Sequence, residues 1–293
     1  MGTRRYTITA VIPTLNRIMD LRRCINSVYA HVDEILIIDN GSTDDVCAVF
    51  ESDAGKKDRF RKVSIIPLEE NVGPVVAQNL GGHFTDTDFI LMLDNDVECL
   101  EWKSDDMLQR LIDDKTTIVW FKCLNKDYKL DYFNVHSLGA HDCIHYTGSY
   151  HNAAALVNSK AFREVGGFND EYFAYYQEPD LSARLLKAGY RIMYFPYIKF
   201  LHKGSTEARN RDNTVYFHIR NHYWFIWEHL PLSIALFQSL KWLGWSVLNG
   251  YNKPHLVLKA YKDTLQGIRK VLARREPIHD KKVTSLWTRL KRE

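Results

Sequence analysis

Five apolar residues in a row followed at once by paired aspartates, Phe89-Ile-Leu-Met-Leu-Asp94-Asn95-Asp96-Val97-Glu98, leave this chain few folds to choose from. The run is too short for a free-standing helix and suits a strand buried on both faces. Ligands of open α/β sheets bind beyond the carboxyl ends of the strands, so Asp94 and Asp96 stand where a ligand would lie. Two hard oxygen donors with no obvious cationic partner in sequence read as half of a divalent-metal site. The alternative is that both merely cap a turn.

What surrounds that stretch sharpens the choice. Thr7 to Ile12 is a β-branched, apolar strand that Pro13 is expected to end. Asn16 can cap a following helix, in which Leu21, Cys24, Ile25 and Val28 recur at helical spacing. A second strand, Glu34 to Ile38, runs into the polar loop Asp39–Asp44. A helix over Asp44–Phe50, an exposed charged loop at 52–62, a strand at Val63–Pro67 and a helix opened by Pro74 complete the first half. This alternation predicts an α/β fold with a layered, mostly parallel, Rossmann-like sheet. Its polar loops gather Thr14, Asn16, Asp39, Ser42, Asn71 and Asp94 on one edge, the place for a nucleotide.

The usual glycine cradles for a diphosphate are missing. There is no GxxxxGK[ST], and the first strand runs into Val11-Ile-Pro-Thr-Leu-Asn-Arg17 where a dinucleotide fold would carry GxGxxG. A metal on Asp94 and Asp96 would neutralise the diphosphate instead. An EF-hand reading of the same acids fails at Cys99, where glycine is required.

Further along, Glu178 and Asp180 fall at the start of a helix that Pro179 opens and Gly189 terminates. The positive end of the helix dipole favours an ionised carboxylate there. His136, His141, His145 and His151 fit no common zinc spacing and read as ordinary loop or cleft residues. Of the aromatics Phe168, Tyr172, Phe173, Tyr175 and Tyr176, most are expected in the core, with one or two free to line a ligand cleft.

Four ordered segments carry a resemblance: Val11-Ile-Pro-Thr-Leu-Asn-Arg17, Ile38-Asp-Asn-Gly-Ser-Thr-Asp44, Asn71-Val-Gly-Pro-Val-Val-Ala-Gln-Asn79 and Leu93-Asp-Asn-Asp96. Together they resemble the motifs of family 2 glycosyltransferases, closest in pattern to the rhamnosyltransferase-like branch. The resemblance covers about residues 6–230. It implies a GT-A fold, an inverting mechanism, a nucleotide-sugar donor and Mn2+ or Mg2+. By position it implies a donor pocket of Pro13, Thr14, Asn16, Asp39, Gly41, Ser42, Asn71, Gly73, Asn79, Asp94 and Asn95. Asp94 and Asp96 would be the DxD pair, and His202 resembles the histidine placed near the donor diphosphate or on the metal. Inverting transfer needs a base for the acceptor hydroxyl. Carried over by position, Glu178 is that base and Asp180 its neighbour; the family usually has Glu-Asp where this chain has Gln177-Glu178.

Composition bounds the partners. At 293 residues and 45% hydrophobic content the chain can bury a large core, and a formal charge of +3 is too small to announce a nucleic-acid binder. From Lys253 onward twelve Lys/Arg face four Asp/Glu, leaving −5 for the preceding residues. Five cysteines without a CxxC pair suggest reduced thiols in a cytosolic protein, and the N-terminus shows no apolar signal segment.

The expected division is a catalytic domain at 1–230 and a basic helical extension at 231–293. Gln238, Ser239 and Lys241 interrupt the apolar run Leu230–Leu248, which argues against a spanning helix. Trp242, Trp245 and the basic tail suit a helix lying at a membrane surface, with self-association as the rival. The expected activity is transfer from dTDP-rhamnose or a UDP-hexose to a hydroxyl of a cell-surface or lipid-linked glycan, at the inner face of the cell membrane. Alternatives are a catalytically silent glycan-binding relative and a sugar-nucleotide nucleotidyltransferase, whose glycine-rich N-terminal loop is absent.

Overall fold

Four strands of the first half run parallel: β1 (Ile8–Thr14), β2 (Glu34–Asp39), β3 (Val63–Pro67) and β4 (Phe89–Leu93), side by side in the order β3-β2-β1-β4. The computed structural model describes residues 6–49, 63–130, 142–204, 213–280 and 284. The charged loop expected at 52–62, His136 and His141 lie outside them. Every residue of β4 is buried, as its unbroken apolar run demands. Helix α1 (Ile18–Val28) covers one face of the sheet through Leu21, Cys24, Ile25 and Val28. Helix α2 (Pro74–His83) covers the other, with proline in its first turn.

Three local expectations are corrected. Pro13 does not end β1, which continues to Thr14 opposite Asp39. The proline's missing N–H points to the β4 side, beyond the last pair Val11↔Met92, so no ladder bond is lost. Asn16 does not cap α1. Its Oδ1 instead accepts from the Thr43 N–H at 2.8 Å, and the Ile18 N–H turns to Asp44 Oδ2 at 3.3 Å. The helix expected over Asp44–Phe50 is a single 3-10 turn, Val46–Val49, begun by Asp45 accepting from the Cys47 N–H.

The second half adds β5 (Val97–Trp102), α3 (Asp105–Leu111), β6 (Thr116–Leu124), β7 (His145–Thr147), β8 (Ala154–Asn158), α4 (Ser159–Glu164), α5 (Gln177–Lys187) and β9 (Arg191–His202). The full order is β3-β2-β1-β4-β8-β6-β9-β5, with β7 beside β9. Strand β8 is antiparallel to both neighbours, and β6 and β9 are parallel. Strand β9 runs unbroken past Pro196, because β6 pairs Phe121 with Phe195 and then Lys122 with Lys199, so the stretch between bulges without breaking the ladder. Helix α5 starts at Gln177, two residues before Pro179.

A third layer consists of α6 (Thr214–His229), α7 (Leu232–Gly250) and α8 (Pro254–Ala273). Its core joins Ile219, Tyr223 and Ile226 of α6 to Ala260 of α8 and reaches Ala183 of α5. It braces the segment that leads into α5.

Candidate active site

The carboxyl ends of β1, β2 and β4 meet at one edge, and hydrogen bonds between their loops fix it. Thr14 is buried, and its Oγ1 accepts from the Asn95 amide at 2.9 Å. The Asn16 N–H donates to Ser42 Oγ at 2.8 Å, and the Ser42 N–H to Asp39 Oδ1 at 3.0 Å. Asn71 Oδ1 accepts from the Asn40 amide and from the Gly73 N–H. Gly41 has φ +78°, and a Cβ there would lie 2.7 Å from the Glu70 carbonyl carbon, so only glycine lets the loops after β2 and β3 meet. Pro13, Thr14, Asn16, Asp39, Gly41, Ser42, Asn71, Gly73, Asp94 and Asn95 therefore form one connected rim.

Asn79 does not belong to it. Its side chain accepts from the Phe168 N–H at 2.8 Å and donates to the Phe168 carbonyl and to Asp170. The amide is spent holding the turn at 166–170 against α2. This replaces its expected place in the donor pocket.

Next to Asp94 of the rim stands the buried Asp96. The turn holding them is fixed by main-chain bonds from Val97 N–H to the Asp94 carbonyl and from Lys203 N–H to the Asp96 carbonyl. Antiparallel pairing of β5 with β9 sets Val97 opposite His202. His202 Nε2 thereby lies 3.5 Å from Asp96 Oδ1 and 3.7 Å from Asp94 Oδ2. The three donor atoms fall within 4.8 Å of one another, and an oxygen-oxygen-nitrogen set suits a divalent cation.

The lack of a cationic partner expected from the sequence is corrected here. Arg17, nearly buried and in the left-handed conformation, reaches Asp96 Oδ2 and Asn95 Oδ1, each at 3.3 Å, and Asp20 at 2.8 Å. Lys203 pairs with Glu98 beside it. The His151 ring lies 5.8 Å from that of His202, close to the same corner. Arg17 stood inside a segment quoted for its pattern, but nothing in the sequence indicated that its side chain would fold back over the acids.

Glu178 and Asp180, both in the first turn of α5, part company. Two residues of helix turn the side chain by about 200°, so the two carboxylates point nearly opposite ways. Glu178 is half-buried, and burial, with a smaller contribution from the Asp94 charge, pushes its carboxyl up from 4.5 to about 7. Asp180 faces the interior, fully buried. It accepts from Arg184 and, at 2.8 Å, bonds His229 Nε2. Burial would raise its pKa, but the bonds from His229 and Arg184 outweigh that and hold it below the usual range. Asp180, Glu228 and His229 also cluster, yet Arg184 and Arg274 neutralise them, which makes the cluster a buried ion network.

The approach to Glu178 is unusual backbone. Phe173, Tyr175 and Tyr176 all have positive φ, at 60°, 65° and 68°. Such conformations cost of order 1 kcal/mol each and persist only where the surroundings enforce them. The enforcing group is Asn221 of α6, fully buried. Its amide donates to the carbonyls of Tyr172, Ala174 and Tyr175 at 3.1, 2.7 and 2.9 Å. Arg220 adds bonds to the carbonyls of Glu171 and Tyr172. Phe168 and Tyr172 are core residues. Phe173 is exposed, stacks on Phe217 at 5.4 Å and covers Gly73, where a Cβ would meet its ring at 2.7 Å. The rim and the aromatic loop thus touch at Gly73.

Comparison with known proteins bears on the family and the fold. Residues 9–169, more than half of the chain, match the profile described as "Glycosyl transferase family 2". The chain is 29% identical over 220 residues to the pre-mycofactocin glycosyltransferase of Mycobacterium tuberculosis, covering 71% of this chain and 45% of that protein. It is 36% identical over 92 residues to the N-acetylglucosaminyl-diphospho-decaprenol L-rhamnosyltransferase of the same organism, covering 29% and 30%. The chain therefore spans less than half the length of these curated relatives. Among solved structures it resembles the mannosyltransferase PcManGT from Pyrobaculum calidifontis, in complex with GDP-Man and Mn2+. The TM-score is 0.59 at 15% identity, over 93% of this chain and 85% of that one. The architecture is the GT-A fold.

Proposed function

We propose that this chain, which belongs to glycosyl transferase family 2, moves a sugar from a nucleotide-diphosphate donor to an acceptor hydroxyl with inversion at the anomeric carbon. The observation that carries the reading is the convergence of Asp94, Asp96 and His202 at the end of β4, with Glu178 in the field of Asp94.

In this reading the nucleotide lies along the rim of Thr14, Asn16, Asp39, Ser42 and Asn71. Asp94, Asp96 and His202 would hold a divalent cation, Mn2+ or Mg2+, which supplies positive charge to a departing diphosphate. Arg17 orients Asp96 through its ion pair. Glu178 accepts the proton of the acceptor hydroxyl as its oxygen bonds to the anomeric carbon, while the carbon–oxygen bond to the diphosphate breaks and its electron pair leaves with the nucleotide. A carboxyl raised to about 7 is near the ideal strength for a base working at neutral pH. Phe173 offers a ring on the acceptor side. Asp180 is a positioning residue that anchors α5.

The donor sugar favoured is rhamnose on dTDP, with UDP-hexoses next, and the acceptor a lipid-linked or cell-surface glycan met at the cytoplasmic face of a membrane. The M. tuberculosis relative named for a decaprenol-linked acceptor supports this choice. The test is a panel of nucleotide sugars assayed for nucleoside-diphosphate release with Mn2+, with Mg2+ and with chelator. Release from at least one donor, lost in Asp96→Asn, is expected; release from none, or release indifferent to Asp96, refutes the reading.

A further inference from the structure

Helix α7 turns part of its polar surface inward: among the core-packed Ile234, Trp242 and Trp245, Gln238 is 4% exposed, and Ser246 is fully buried with its hydroxyl 2.7 Å from that of Tyr261. Ser239 bonds the Trp227 indole at 3.1 Å, and its carbonyl accepts from Tyr223 at 2.8 Å. The residues that would ordinarily fill a core face outward. Leu232, Leu236, Leu240, Leu243, Val247 and Tyr251 recur every three or four residues along the whole helix, and all are exposed, Leu240 at 73% and Tyr251 at 78%. Helix α8 continues the pattern at Leu258, Leu265 and Leu272, spaced by seven. Apolar faces of this extent on a soluble protein mark a contact surface.

Charge decides what the contact is. Between Leu232 and Ala273 stand six Lys/Arg and one acid, Asp263, which accepts a hydrogen bond from Tyr216. Lys262 and Arg269 follow Leu258 and Leu265 by one helical turn and are exposed on the same face. A second copy of the chain would bring the same cations against these. An anionic bilayer surface matches both components, with acyl chains for the leucines and headgroups for the lysines and arginines. A helix packed on α6 through one face, with its other face apolar and exposed, lies in the interface plane; among the described residues no helix is long and apolar enough to cross it.

We propose that the outward faces of α7 and α8 are a docking surface for an anionic lipid bilayer. The proposal deepens the placement at a membrane given above and rests on it. Lipid binding is measured without sugar transfer, so the two can fail separately.

The experiment is co-sedimentation of the full chain with vesicles of phosphatidylcholine alone and of an equal mixture with phosphatidylglycerol, at low and high salt. The wild type is expected to bind the anionic vesicles, weakening as salt rises. The triple variant Phe237→Gln, Leu240→Gln, Leu248→Gln, all at exposed sites, should bind about tenfold or more weakly. Lys262→Glu with Arg269→Glu should lose the preference for phosphatidylglycerol. Thermal unfolding and nucleoside-diphosphate release should match the wild type in both variants. Absence of wild-type binding to anionic vesicles overturns the proposal, as does unchanged binding by the triple variant. So does light scattering that finds a wild-type dimer and a monomeric triple variant, which would assign the face to a second copy.

Discussion

Replacing Glu178 with glutamine should abolish transfer and at the same time stabilise the protein, in a manner set by pH. An unfolded glutamate ionises near 4.5, whereas this one is pushed to about 7, chiefly by burial and secondarily by the Asp94 charge. Keeping the carboxylate charged in the folded state therefore costs roughly 3 kcal/mol. Partial access to water reduces the recoverable part to about 2 kcal/mol. The penalty is absent below the unfolded value, where the side chain is neutral in both states. It grows as pH rises from 4.5 and is complete above about 7. Glutamine never bears the charge, so its advantage follows the same course. For a chain of this length ~2 kcal/mol is about 3 °C in Tm. Scanning calorimetry of wild type and Glu178→Gln at pH 4 and pH 8.5 should give nearly coincident Tm values at the lower pH and a higher Tm for the variant at the upper. Loss of a general base should lower kcat by roughly 10²–10⁴-fold, with donor affinity kept. Wild-type activity should climb with pH through about 7, because the base must be ionised. A variant that is less stable at pH 8.5, or that turns over normally, would refute the assignment.

Three other substitutions probe the rest of the site. Asp180→Ala should destabilise by about 3–5 kcal/mol, because Arg184 and His229 would be left charged or polar in the interior. Chemical denaturation measures this change, opposite in sign to the Glu178 effect. Asn221→Ala removes three bonds from the positive-φ loop. It should cost about 2–3 kcal/mol and lower kcat more than it raises the donor KM, and Asn221→Asp should not restore either. His202→Ala should raise the Mn2+ concentration needed for half-maximal activity at least tenfold, and isothermal titration of Mn2+ in the presence of nucleoside diphosphate checks it.

Local chemistry was the legible part. The apolar run of β4, the β-branched β1 and the glycine and proline punctuation specify strands and helices within a few residues. The order of those elements then dictates a parallel sheet with its polar loops on one edge. Asp94 and Asp96 could be picked out because a buried strand cannot carry carboxylates except at its end. Where local reading erred, a distant partner had intervened: Asn16 bonds Thr43 instead of capping its own helix.

The sequence by itself determined which residue types stand at strand ends and helix starts, since those follow from spacing along the chain. Only the tertiary structure decided which of them meet. His202 reaches the aspartates because β9 pairs with β5 in one register, more than a hundred residues from Asp94. Glu178 and Asp180 take opposite environments because the rotation of α5 about its axis is set by packing of Leu181 and Leu185 against the sheet and of Ala183 against α6. Arg17 folds over Asp96, and α7 turns its leucines outward, for the same reason. The direction of a side chain is fixed by what its element packs against, and that is a property of the assembled layers.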